Sequence, residues 1–197
     1  MLIKLERMVV QVNLLKDYID LIQDEEIKNE LYRLMQLPEV QAAFSKGSTY
    51  AGSNHPADEN KPYGLLLHTL RVANVAVQLA RSGEGVNSET YDILIASAIL
   101  HDIPYKFKEN GYTDMAHAHK NSLWFVENTK LTGDKKDKIL TCILNHMGKW
   151  DSYGMSDKEK YPPNELSVII HLADNLASRK NIYVNIDCVD YLKSNLD

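Results

Sequence analysis

AILHDIPYKF, residues 98–107, ends an apolar run with a histidine and an aspartate side by side and sets a proline two residues beyond them. The run leading into it, DILIAS from 92 to 97, puts Leu94, Ala98 and His101 on one helical line, so the chain reads here as a buried helix that stops at His101–Asp102. Neighbouring side chains on a helix diverge by about 100°. Two adjacent ligands reach one ion most easily where the helix is ending, and Pro104 ends it there. The competing reading is a histidine favoured by the negative end of the helix dipole, with Asp102 capping the next turn.

Working outward, the same three-and-four spacing of apolar residues recurs along nearly the whole chain. Met8, Val9, Val12, Leu15, Ile19 and Ile22, then Ile27, Leu31 and Met35, mark two amphipathic helices between Leu5 and Met35, the second closed by Pro38. Further helices are predicted over 64–82, 88–103, 114–129, 135–147, 164–180 and 187–195. Residues 46–63, rich in Gly, Ser, Asn and Pro, read as an ordered loop over the site or a mobile flap. With no alternating strand pattern and no internal repeat, the expectation is one all-α domain over 1–197, with N-terminal helices 1–45 packing on a core of 64–180.

Composition narrows the function classes. The 197 residues hold 22 Lys and Arg against 27 Asp and Glu, a net charge of -5, which argues against long nucleic acid as a partner. Two cysteines, Cys142 and Cys188, make no CxxC pair, so a reduced, cytoplasmic setting is expected. The first residues carry no apolar signal core, and no 18-residue apolar stretch predicts a membrane span. The N-terminal amphipathic helices offer a surface for a homodimer.

Seven histidines are spread over the chain, and their faces matter more than their number. His68 falls on the apolar line Leu65, Val72, Ala76. His119 falls on Ala116, Leu123, Val126, and His117 is the alternative on that helix. His146 joins Ile139 and Ile143. Asp174 joins Ile170 and Ala177, with His171 on its side as a partner that would orient it. His55, in the loop, is expected to face solvent. Singly, each inward histidine is accounted for by a hydrogen bond to a backbone carbonyl. Collectively, several helices aim imidazoles and two carboxylates inward, and a buried unpaired carboxylate costs several kcal/mol. A divalent ion would compensate them all, and this donor mix suits Mn, Fe, Co, Ni or Zn.

The phrases GLLLHTLRVA (64–73), AILHDI (98–103), HKNSLWFVE (119–127), ILNHMGKW (143–150) and HLADNLASR (171–179), in that order, resemble the HD-domain superfamily of metal-dependent phosphohydrolases. Their wording is most similar to the HD module of 3′-to-5′ exoribonucleases of the YhaM type, whose nucleic-acid-binding domain has no counterpart here. The resemblance implies a helical bundle with a central metal site and one or two divalent ions, Mg included. It implies His68, His101, Asp102 and Asp174 as core ligands, with His119 and His146 holding a second ion and Asp102 bridging. It also implies hydrolysis of a small phosphorylated substrate, a nucleotide above all, by metal-activated water. The alternatives are cleavage of short RNA or DNA from the 3′ end, or a nucleotide-binding module without turnover. Family members often read HDIGK where this chain reads HDIPYK, which displaces the lysine to Lys106. With Asp102, the expected catalytic groups are Lys106, Lys149 and Arg179, the three cations acting on the phosphate; Trp150 and Tyr153 stand nearby as aromatic residues able to stack on a base.

Overall fold

The central element is a helix with no solvent face beyond its first turn. In the computed structural model, which describes residues 14–47, 55–82, 87–106, 114–150 and 155–184, every residue from Asp92 to Leu100 is buried. This helix, α5 (Ser88–Leu100), starts on Asn87, whose side chain accepts the N–H of Thr90. Packed around it are α4 (Gly64–Ser82), α7 (Gly133–Asn145), α9 (Glu165–Ala177) and α2 (Glu25–Met35). The most extensive contacts join α4 to α9 and α4 to α5. α6 (His117–Asn128) lies against α7, α3 (Pro38–Phe44) against α4, and α8 (Met155–Lys160) against α7. Residues 14–19 form α1, and there is no strand among the described residues. The chain is all-α, as its periodicity predicts.

Ile27, Leu34, Phe44, Leu65, Leu70, Ile93, Ile95 and Phe125 belong to one core cluster and are fully buried. Each contributes roughly 1.5–3 kcal/mol by leaving water. Asp92, 2 % exposed, is the buried charged residue of α5. Its two oxygens accept the N–H groups of Gln23 and Asp24 at 3.0 and 2.8 Å. Asp24 in turn caps α2 by accepting from Glu26 and Ile27. One carboxylate thus ties the entry of α2 to the central helix and satisfies donors that burial would otherwise orphan.

Helix limits differ from the sequence expectation in instructive places. α4 has the predicted bounds. Pro38, predicted to close a helix, instead opens α3 at its first position, where a proline lacks nothing the helix needs. α6 begins at His117 rather than 114, because the Asp114 carboxylate takes the N–H of Ala116 and holds a turn. Within the 46–63 loop, Ala57–Asn60 form a 3-10 turn packed on α4, so residues 55–63 are an ordered part of the bundle. The predicted helix at 187–195 and Tyr153 lie outside the described residues, as do residues 1–13. No described helix is long and apolar enough to cross a membrane.

Candidate metal centre

The site is built where helices end. α5 stops at Leu100, His101 keeps α-helical dihedrals as its C-cap, and Asp102 opens the following turn. Both side chains then converge, with His101 Nε2 3.2 Å from Asp102 Oδ2. Asn121 of α6, fully buried, fixes this turn from outside: its Nδ2 donates to His101 O at 3.0 Å, and its Oδ1 accepts from Tyr105 N at 2.8 Å.

Three imidazoles are held in the same tautomer by the same device. The Nδ1–H groups of His101, His117 and His146 donate to the carbonyls of Ala98, Asp114 and Ile143 at 2.8, 2.6 and 2.8 Å, in each case three residues back. A carbonyl only accepts, so each Nε2 keeps its lone pair and points it inward. His68, on α4 and fully buried, brings its Nε2 to 3.0 Å from Asp174 Oδ1 and 3.4 Å from Asp102 Oδ2.

The Asp102 carboxylate divides the cluster in two. Its Oδ2 faces His68 and His101, and its Oδ1 lies 3.0 Å from His117 Nε2 and 3.5 Å from His146 Nε2. His117 and His146 bring their Nε2 atoms to 3.1 Å. Donor atoms of His68, His101 and Asp174 all lie within 4.8 Å of one another, as do those of Asp102, His117 and His146. Neither His68 Nε2 nor His101 Nε2 has a hydrogen-bond partner despite complete burial. Two nitrogens around one ion at about 2.1 Å sit roughly 3–3.5 Å apart. The donor set, its spacing and its orphaned nitrogens therefore fit divalent cations.

Burial and Lys106 push His68 down, but Glu59 and Asp174 outweigh them and raise it to about 9. Burial pushes Asp102 and Asp174 up, but the surrounding imidazoles, and Lys106 beside Asp102, hold both carboxyls below the usual carboxylate range. Burial and the neighbouring imidazoles push His146 down, toward the neutral form that binds metal.

A family model of the HD domain matches residues 65–179, more than half of the 197-residue chain. The chain belongs to the HD domain family. HD domains bind divalent metals and are generally metal-dependent phosphohydrolases. No curated protein and no solved structure matches the chain significantly. The matched span of this HD domain contains His68, His101, Asp102, His117, His146 and Asp174, all the residues that meet at the centre.

Of the residues expected from sequence, His68, His101, Asp102, His146 and Asp174 are brought together. His119 is not. Its Nδ1 lies 3.1 Å from Asp157 Oδ2 of α8, and His117 takes the inward position. The apolar line that pointed to His119 is the outer face of α6: Leu123 and Val126 are 47 % and 40 % exposed. His171 does not orient Asp174 either. Its Nδ1 donates to His146 O at 2.6 Å, its ring stacks with Trp150 at 5.5 Å, and Gly148 lets it approach because any Cβ there would meet the ring at 2.8 Å.

Lys106 is buried and pairs with Asp102 Oδ2. Arg179 donates from Nε and Nη2 to Asn175 Oδ1 and is not part of the cluster. The side chain of Lys149 lies outside the described residues. His55, expected in solvent, packs its ring 5.1 Å from that of His68 and binds Glu59 Oε2 at 2.7 Å. Glu59, fully buried, was not visible from sequence because it sits in a polar loop with no periodicity to mark its direction. Asn121 was missed for a related reason: its partners are sixteen and twenty residues away.

Proposed function

We propose that this HD domain is a divalent-metal-dependent phosphohydrolase that cleaves a nucleotide or other small phosphoester, using two ions bridged by Asp102. One observation carries the reading: the two oxygens of a single buried carboxylate face separate pairs of histidines, and in one pair two lone-pair-bearing nitrogens stand 3.1 Å apart. Two lone pairs facing each other at that distance repel unless a proton or a metal ion lies between or beside them, and the carboxylate oxygen beside both nitrogens favours the metal.

His68, His101, Asp102 and Asp174 would hold one ion, and Asp102, His117 and His146 the other. Bound there, divalent ions supply an activated water and polarise the phosphoryl group. Three carbonyl bonds keep the rings of His101, His117 and His146 correctly turned. Asp174, 23 % exposed where the other five are nearly sealed, marks the side from which a phosphate would enter. Lys106, beside Asp102, would balance charge on the arriving phosphate. The acidic net charge of -5 favours a small substrate over a polynucleotide.

The test is metal-stripped protein reloaded with Mn²⁺ or Zn²⁺ and offered nucleoside mono- and triphosphates, cyclic dinucleotides and short RNA. The expected result is metal-dependent hydrolysis of a small nucleotide that Asp102→Asn abolishes. Two bound ions with no turnover would favour a binding module. Turnover of RNA alone, steeply weakened by salt, would favour the exonuclease alternative.

A further inference from the structure

Outside the matched HD span lies a buried acid that neither of the two ligand sets above includes. Glu59 is fully buried on the 3-10 turn Ala57–Asn60. Its Oε2 lies 3.4 Å from His68 Nδ1, a buried nitrogen with no hydrogen bond in this geometry and the one opposite the nitrogen that faces Asp102 and Asp174. Its Oε1 is held by the Arg71 guanidinium, three residues along α4 from His68, and the other arm of Arg71 binds Asp58 Oδ2 at 2.7 Å. His55 Nδ1 meets the same Oε2 at 2.7 Å.

The backbone is shaped to bring this acid in. Gly64 opens α4 where a Cβ would lie 1.8 Å from Glu59 O, so only glycine lets the turn sit against the helix. Tyr63, just before it, adopts φ of 66°, a conformation that costs a non-glycine residue roughly 1–2 kcal/mol. The segment is secured by Tyr63 N and Leu65 N donating to Ser45 O and Lys46 O at 3.2 and 3.0 Å. Strain of this kind persists where surrounding contacts over-determine it, and it gathers at functional sites.

We infer that Glu59 is a positioning residue that accepts the Nδ1–H of His68, fixing that ring's tautomer and strengthening Nε2 as a metal ligand. The other three histidines of the centre use a backbone carbonyl for this purpose. His68 stands inside α4, where the carbonyls are engaged in the helix, and a carboxylate takes their place. Such carboxylate–histidine pairs raise ligand basicity, and their loss typically weakens metal binding 10–100-fold. Arg71 holds the acid aimed at His68 through the other oxygen. A third cation among His55, Glu59 and His68 is the lesser reading, because Arg71 already neutralises that carboxylate.

The inference rests on the metal reading above, and the experiment separates the two. Zn²⁺ binding to wild type and Glu59→Gln is measured by competition with a chromophoric chelator, with melting of the metal-free proteins alongside. The expected result is two sites in both proteins, one of them weakened 10–100-fold in Glu59→Gln. A purely structural Glu59 would shift the metal-free melt and leave both affinities unchanged, which overturns the inference alone. Wild type that takes up no zinc overturns the metal reading and the inference with it. If Glu59→Gln does not fold, ¹⁵N NMR of zinc-loaded wild type decides. A proton on His68 Nδ1 supports the role, and zinc on Nδ1 overturns it.

Discussion

His117 Nε2 and His146 Nε2 stand 3.1 Å apart, each with its Nδ1 proton already donated to a carbonyl of its own turn. With both Nδ1 protons so engaged, the two Nε2 atoms are placed where one cation could bind both, as proposed above. The first prediction concerns which histidine of α6 takes part. His117→Ala should lower bound zinc from two equivalents to one by elemental analysis, and His119→Ala should leave it at two. The reverse pattern would restore His119 as the ligand and would mean that α6 is rotated relative to this geometry.

Asn121 joins His101 O to Tyr105 N through one amide. Replacing it with alanine orphans two backbone groups, one of them fully buried, at about 1–3 kcal/mol each. Asn121→Ala should therefore cost about 2–4 kcal/mol in urea denaturation and loosen the His101–Asp102 turn. Zinc affinity should fall with stability, even though Asn121 touches no metal donor. Unchanged affinity would show that the turn holds its shape without this clamp.

A pH prediction follows from Glu30, which is remote from the centre. Burial pushes its carboxyl up, but Arg33 at 2.7 and 2.8 Å and the N–H of Lys130 at 2.6 Å hold it below its ordinary 4.5. A depressed pKa stabilises the fold above the unfolded value, and the gain is lost as pH falls through the folded one. Glu30→Gln should cost about 1–2 kcal/mol at neutral pH. The gap to wild type should narrow progressively below pH 4.5, as read from urea midpoints across the acid range.

Gly148 has φ of 58° and sits against the His171 ring. Gly148→Ala should cost about 1–2 kcal/mol from the backbone alone, and more from the contact with the ring. The double variant Gly148→Ala/His171→Ala should recover the contact part and leave the backbone part. Strict additivity in that cycle would show that the ring simply moves aside.

The bundle was legible because burial writes a period into a helix. α4 has its predicted bounds since Leu65, His68, Val72 and Ala76 all lie on the face it buries. The His101–Asp102 junction was legible because a proline two residues on made a helix end there the natural reading. α6 deceived for a different reason: its exposed face carries Leu123 and Val126, while His117, Asn121 and Ser122 share the buried side with Trp124 and Phe125. A helix that packs on the core and also lines a polar centre has apolar residues on both sides, so hydrophobic periodicity alone does not pick the inward one. Pro38 was ambiguous because proline serves equally well as a stop and as a first helical residue. Glu59 escaped altogether. Its importance lies in contacts from a loop to a helix, and no local spacing encodes them.

Of the six residues that converge on the centre, Asp174 alone keeps appreciable contact with solvent. Among the described residues, the centre therefore reaches solvent on the flank of α9. An ion held there as proposed would meet an external chelator first on the Asp174 side, so that carboxylate would set how readily the metal is stripped.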